Sequence, residues 1–486
     1  MRTSALALTA ALAVALSGCA SMNGLHTTGS LTDPGQLHAS KSLAGVTLSP
    51  AAWPSQDWWT SLGDPQLDQL IKEALANNPS LAAADARTQQ AQAAALEADA
   101  GLKPTVNAGA SVAGTYLPTT VVPEPLGGHF GIAKYAYGSF SWSPDIWGGK
   151  RSAYEAAVGQ VHAARIDAQA ARLKLSGAVA SAYVQLGYAF RSQDIAEDQL
   201  KRAQGVHKLT SQRVNAGIDS QLQMKQVQAE VAAARQQVAA AKREVEAARI
   251  ALAKLLGKGP DRGLSITRPK LLTPAEVALP SKLPADLLGR RPDLVAARWR
   301  VEAARGQIKT AKTKFMPNLD ISALAGFIAM GGGTNLFQMP ARFYNVAPAV
   351  SLPIFEGGKL RANLKNRDAQ YDEAVAQYNQ TLVGALNDIA DDVSDMHSLK
   401  QQIAAQQQAE DAASQAWQLA QERYQAGIGS YLQALTVRQQ LLTAQQRMAS
   451  LKSQQVERSI ALIEALGGGY QPKADAAPTS TSSDHS

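Results

Sequence analysis

One cysteine in 486 residues excludes any internal disulfide. Aromatic residues are only 6% of a chain that is 45% hydrophobic, so its apolar content is mostly small and aliphatic, alanine above all. That balance points away from bulky globular cores and towards long packed helices. Beyond the N-terminus no apolar run reaches the roughly 18 residues that a spanning helix needs. The net charge of +7 is scattered without a basic cluster, which leaves nucleic-acid binding without support. The seven histidines show no metal-ligand spacing, and neither a Gly-Lys-Ser/Thr phosphate cradle nor a Gly-x-Ser-x-Gly elbow occurs. Gly331 to Gly333 and Gly467 to Gly469 have no strand–helix context and read as loop and helix-end glycines. Nothing in the residues supports an enzyme, a metal or a bound cofactor.

What is present begins at the N-terminus. Arg2 precedes an apolar run from Ala5 to Leu16, a short signal peptide over residues 1–18. It ends in Leu16-Ser17-Gly18-Cys19, and Cys19 is the sole cysteine. An ordinary signal peptide with an incidental cysteine is one reading. The other is that the stretch resembles the bacterial lipobox, which implies a mature N-terminus at Cys19 carrying S-diacylglycerol and N-acyl (palmitate-type) lipid. Ala20 stands where an aspartate would imply retention at the inner membrane, so the resemblance implies the outer membrane. Residues 19–62, rich in Ser, Gly, Thr and Pro, read as a lipid-anchored tether.

The rest of the chain is written twice. Arg213-Val-Asn-Ala-Gly217-Ile-Asp219-Ser220 returns as Arg423-Tyr-Gln-Ala-Gly427-Ile-Gly429-Ser430. Asn78-Pro79 matches Arg291-Pro292, Lys103-Pro104 matches Met316-Pro317, and Trp147-Gly148-Gly149-Lys150 matches Glu356-Gly357-Gly358-Lys359. Two structural repeats follow, residues 63–262 and 285–470, joined by a Pro/Gly/Lys-rich equatorial linker at 257–284 and followed by a polar, disordered tail at 471–486.

Each repeat is expected to open with a helix (about Pro65 to Leu102, and about Ala285 to Met316). The period then changes to two, giving β-hairpins over about 104–146 and 317–354. In Thr105 to Tyr116, Val106, Ala108, Ala110 and Val112 alternate with Asn107, Ser111 and Thr115. Strands of about 11 residues have the length of tilted membrane strands. A soluble hairpin packed on a helix is the alternative for either pair alone. After Gly149 a helix without proline runs to Arg213. Past the bend, Val227, Val231, Ala234, Val238, Ala241, Val245, Ala248, Leu252 and Leu255 form a coiled-coil seam, echoed by Val437, Leu441, Ala444, Met448 and Leu451.

The bends at 213–220 and 423–430 carry the residues singled out as a candidate site. Gly217 and Gly427 suit a left-handed helix end, and Ser220 and Ser430 the N-cap of the next helix. One such bend alone is only a helix turn; a matched pair suggests functional tips. Asp388, Asp391, Asp392 and Asp395 share a helical face, either solvated or lining a lumen, with Asp219 the acid nearest a tip. Four membrane-length strands leave two unpaired edges in lipid, so the barrel closes only with further copies of the chain.

Taken together, the lipobox, Trp58-Trp59 with Asp64-Pro65, the Pro-bounded hairpins, the Gly-Gly pairs and the paired Arg…Ala-Gly-x-x-Ser bends resemble the TolC/NodT outer-membrane efflux family. The resemblance spans about residues 50 to 470. It implies a mainly α fold with a membrane β-barrel: a homotrimer with a twelve-stranded barrel above a periplasmic helical barrel. It also implies a periplasmic adaptor (membrane fusion) protein and an inner-membrane pump as partners, and a passive duct expelling small toxic compounds. In the family the bends are the adaptor-contacting tips, a role that would fall to Arg213, Gly217, Ser220, Arg423, Gly427 and Ser430. The aspartate ring that several members carry beyond the second tip has no counterpart in Tyr431 to Thr436. A type I protein-secretion duct and a pore-free periplasmic coiled-coil scaffold stand as alternatives.

Overall fold

A computed structural model describes residues 21–39, 41–43, 53–124, 127–270, 272–275, 279, 283–330 and 335–471. The signal peptide, Cys19, Gly331 to Gly333 and nearly all of the tail lie outside the described residues. The chain divides into two compact units. One comprises residues up to 31 with 88–163 and 297–378; the other comprises 32–87, 164–296 and 379 onward.

The first unit holds the sheet. Strands β1 (Thr105–Tyr116), β2 (Phe130–Trp142), β3 (Asn318–Met330) and β4 (Arg342–Ser351) pair antiparallel in the order β1-β2-β3-β4. The register runs Val106↔Phe140, Ala110↔Ala136, Phe140↔Ala323, Ala325↔Tyr344 and Leu319↔Val350. Directly opposed residues share a face, so this register sorts every side chain. One face collects Val106, Val112, Tyr116, Phe130, Phe140, Ile321, Val346 and Val350, with Lys134 and Arg342 as its cations towards the loop end. The other collects the polar residues Thr105, Asn107, Ser111, Thr115, Ser139, Ser141, Asn318, Asp320, Ser322 and Asn345, together with Tyr135, Tyr137, Leu324, Ile328, Met330 and Phe343. The apolar face is bare: Val106 is 75% exposed and Tyr344 81%. Tyr137 lies over Gly109 and Phe130 over Gly114, rings filling the space above two side-chain-free positions. Both β1 and β4 are edge strands of the sheet.

The second unit is helical. Helix α1 (Pro65–Asn77) starts at Asp64, whose carboxylate accepts from the N–H of Gln66 and Leu67, with Pro65 at the first turn. The expected single helix is in fact two, because Asn78 is extended before Pro79 and α2 (Pro79–Ala100) begins anew. The same correction applies at Arg291-Pro292, which separates α5 (Leu283–Arg290) from α6 (Pro292–Thr313). The long helices are α3 (Gly149–Asn215) and α7 (Lys359–Gln425), 67 residues each, and their shorter partners are α4 (Gln221–Leu255) and α8 (Tyr431–Ala465), 35 residues each. Helices α2, α3, α6 and α7 contribute residues to both units. Among the described residues no helix is long and apolar enough to cross a membrane.

The core of this unit packs Trp58, Trp59, Leu67, Leu70 and Ile71 against Val179, Tyr183 and Leu186 of α3, Leu252 of α4, and Ile460 and Ile463 of α8. Burying about ten such side chains at roughly 1.5–3 kcal/mol each makes this cluster the main anchor of the unit. Tyr183 donates to Asp64 at 2.8 Å, tying the α1 cap to α3. The α4 seam is buried at Val227, Val231, Ala234, Val238, Ala241, Val245 and Leu252, with Ala248 and Leu255 half-covered. On α8 the seam differs from its expected form. Val437 is half-buried, and Arg438 takes the buried place beside it as the ion-pair partner of Glu230 on α4.

Candidate functional site: the two helix bends

Both bends belong to the helical unit and have the same backbone. Gly217 has φ +73° and Gly427 φ +80°, values that only glycine adopts without strain. Ile218 N–H returns to the Arg213 carbonyl at 2.8 Å and Ile428 N–H to that of Arg423 at 3.1 Å, so the last turn closes on itself. Ser220 then accepts from Gln223 N–H while the Gln223 side chain accepts from Ser220 N–H, a complete capping box. Ser430 accepts from Gln433 N–H at 3.2 Å.

The side chains are not symmetric. Arg213 grips the Asp219 carboxylate with two bonds, at 2.8 and 3.1 Å, inside its own bend. It also reaches across to the other bend, donating to the Tyr424 carbonyl at 3.2 Å and lying 4.9 Å from the centre of its ring. The Tyr424 hydroxyl donates to Asp219 at 2.9 Å, which leaves Thr210 on α3 to donate to the Tyr424 oxygen at 2.9 Å. Thr210, Arg213, Asp219 and Tyr424 therefore form one brace between the bends. The hydrogen bond from Arg213 holds the Asp219 carboxyl below its ordinary pKa against the opposing effect of burial. Burial pushes the Tyr424 hydroxyl up.

Arg423, the counterpart of Arg213, is exposed and has no ion pair among the described residues, since Gly429 stands where the first bend has Asp219. The sequence reading missed Tyr424, Thr210 and the Arg438–Glu230 pair. A signal was there: within the repeated eight residues the copies differ at Val214/Tyr424, Asn215/Gln425 and Asp219/Gly429. Tyr424 and Asp219, one from each mismatch, touch across the bends. Asp219 itself needs correction as a lumen acid, because its side chain is 4% exposed and fully engaged by Arg213 and Tyr424.

Of Asp388, Asp391, Asp392 and Asp395 on α7, Asp392 alone is buried. Arg291 approaches Asp388 at 3.6 Å and also binds Asp293, while Arg458 of α8 reaches Asp392 at 3.5 Å and Asp395 at 3.1 Å. Asp391 lines the same cavity, of about 360 Å³, with Lys174 and Glu464. Asp388, Asp391 and Asp395 stay exposed, as on a solvated face, while Arg291 and Arg458 enter from neighbouring elements to pair with Asp388, Asp392 and Asp395.

Burial pushes Asp392 up to about 6, against Arg458, and Glu464 up to about 7, against Lys174. Both folded values lie above the ordinary carboxylate range, so the folded chain binds these protons before the unfolded chain does. Their contribution to stability is full below about pH 4 and is lost as the pH rises through 6 to 7. Acidification from about pH 8 to about pH 5.5 is expected to raise the unfolding temperature. Glu464→Gln should flatten that rise in a pH series of melting curves; an unchanged slope would remove Glu464 as its source.

Comparison with known proteins agrees with this architecture. The outer membrane efflux protein family profile matches residues 70–258 and 283–468. The chain is 36% identical to the fusaric acid resistance protein FusA of Burkholderia cepacia, over 73% of this chain and 67% of that one. It is 32% identical to the multidrug resistance outer membrane protein MdtP of Shigella flexneri, over 88% and 89% of the two chains. The crystal structure of the outer membrane protein VceC from Vibrio cholerae superposes with a TM-score of 0.79 at 35% identity, covering 86% of this chain and all of that one. The chain belongs to the outer membrane efflux protein family. It is an outer-membrane channel component of an efflux system, and the pore-free scaffold alternative falls away.

Proposed function

We propose that three copies of the chain close a twelve-stranded barrel in the outer membrane and form a passive duct, with no catalysis of its own. The observation that carries this is the four-stranded sheet with one bare apolar face and edges at β1 and β4. Unpaired backbone groups at a lipid-exposed edge cost several kcal/mol each, so each β1 finds a β4 of a neighbouring copy. The bends at 213–220 and 423–430 are the adaptor-contacting tips. There a periplasmic adaptor docks and couples the duct to an inner-membrane pump. The cargo is small toxic compounds, in keeping with the resistance phenotypes for which FusA and MdtP are named.

The test is a gene deletion profiled against a panel of toxic compounds, together with gel analysis of outer-membrane extracts. Heat-labile trimers and a restored export phenotype on complementation are expected. Monomers alone, or unchanged sensitivity across the panel, would overturn the reading.

Lipid on Cys19 is part of the same proposal. Cys19→Ala is expected to abolish incorporation of radiolabelled palmitate while some barrel still assembles, because the strands supply their own membrane contact. Label that persists in the variant would remove the anchor.

A further inference from the structure

At the foot of the sheet, where strands become helices, lies a cavity of about 710 Å³. Its walls come from three connections: β2 to α3 (Trp147), α6 to β3 (Lys314) and β4 to α7 (Leu352, Pro353, Lys359). We propose that this cavity is a headgroup site for an anionic phospholipid, phosphatidylglycerol or cardiolipin, at the periplasmic surface of the membrane. The proposal rests on the outer-membrane channel reading and adds a specific lipid partner to it.

The chemistry of the walls is divided. Lys314 and Lys359 are exposed and have no ion pair among the described residues. Lys150 donates to the Ser143 carbonyl at 2.7 Å. Of the two acids, Asp145 is committed to the N–H groups of Lys150 and Arg151, at 3.0 and 2.7 Å, which leaves Glu356 as the only opposing charge. Beside these cations stand large apolar side chains in the open: Ile146, Trp147, Leu352, Ile354 and Phe355. The Trp147 indole donates to the Pro317 carbonyl at 2.7 Å, which fixes the ring. Lysines next to exposed aromatic and aliphatic side chains match a phosphate joined to acyl glycerol at a bilayer surface.

The proposed lipid on Cys19 leads to the same level. The segment following Cys19 is strapped down: Arg361 donates to the carbonyls of Ser21 and Asn23, and Asp372 accepts from Thr28 and from Gly29 N–H. Met22 and Leu25 pack on the cluster of Phe315, Leu360 and Leu364, and Leu360 also lines the cavity. Ser21 is two residues past Cys19, so the lipid proposed on Cys19 would be tethered within a short reach of this site.

The test uses the full-length protein extracted with its lipid in polymer nanodiscs, without detergent, and lipid mass spectrometry. Phosphatidylglycerol and cardiolipin are expected to be enriched over phosphatidylethanolamine relative to the bulk membrane. Lys314→Glu with Lys359→Glu should return that ratio to the bulk value, and Lys400→Glu, an exposed change in the helical unit, should leave it enriched. A photo-crosslinking residue in place of Phe355 should capture phospholipid. No enrichment, an unchanged ratio in the double variant, displacement of the lipid by inorganic phosphate, or capture of a second copy of the chain would each overturn the site. Loss of the wild-type chain from the outer-membrane fraction is scored separately and strikes the channel reading itself.

Discussion

Gly427→Trp, and separately Gly217→Trp, are expected to leave the protein assembled in the outer membrane and to reduce export to the level of the gene deletion. The backbone at both residues has positive φ, so any side chain strains the bend by roughly 1 kcal/mol. That is too little to unfold a chain anchored by the core of its helical unit. Sterically the sites are open: a Cβ at Gly217 would meet nothing within 4 Å, and one at Gly427 only the Arg213 guanidinium at 3.6 Å. The indole is therefore accommodated by the chain and projects outwards, into the space that the proposed adaptor contact requires. Loss of export with intact trimers isolates docking from folding. Bulky variants that assemble, retain export and still crosslink to the adaptor would reduce the bends to ordinary helix turns.

The second large effect concerns the apolar face of the sheet. Val112→Arg should impair membrane insertion, because an arginine on the lipid face costs about 2–4 kcal/mol near the midplane, and Ile321→Arg, opposite Trp142 nearer the foot of the sheet, should impair it less. At Val112 the new charge also opposes Lys134 directly across β2, a like-charge pair that adds to the cost. Thr115→Arg falls on the polar face, whose members include Ser111, Ser139 and Asn345, and should insert close to normally. The measurement is the fraction of each variant recovered in the outer membrane. Equal recovery of all three would mean that the register-defined faces do not correspond to lipid and lumen.

Much of this was legible in the sequence, for physical reasons that differ between elements. The strands announced themselves because a two-residue period on a half-solvated sheet must alternate, and Pro104 and Pro317 mark where each hairpin begins. The bends could be read because positive φ and N-caps restrict residue choice to glycine and serine. The breaks at Asn78-Pro79 and Arg291-Pro292 were visible as prolines but read as helix interior. The extended Asn78 before Pro79 is a local restriction that helical periodicity conceals. The brace was not legible, since Arg213, Asp219 and Tyr424 are ordinary surface residue types brought together only by the packing of α3 against α7. Nor was the buried place of Arg438: a heptad pattern registers apolar positions and passes over a cation that is neutralised from the neighbouring helix.

The brace has a consequence for the order in which the chain matures. Its bond from Arg213 to the Tyr424 carbonyl joins residues 211 apart, whereas each bend closes through bonds spanning a handful of residues. Local contacts are favoured early and distant ones late, because the entropy of loop closure must be met before a distant contact gives any return. The two bends can thus form during synthesis as separate turns, and their cross-link waits until nearly the whole chain has emerged. Being late and small, it lies outside the main core cluster and can be undone without disturbing it. The two bends are in this sense joined last, after each has already formed on its own.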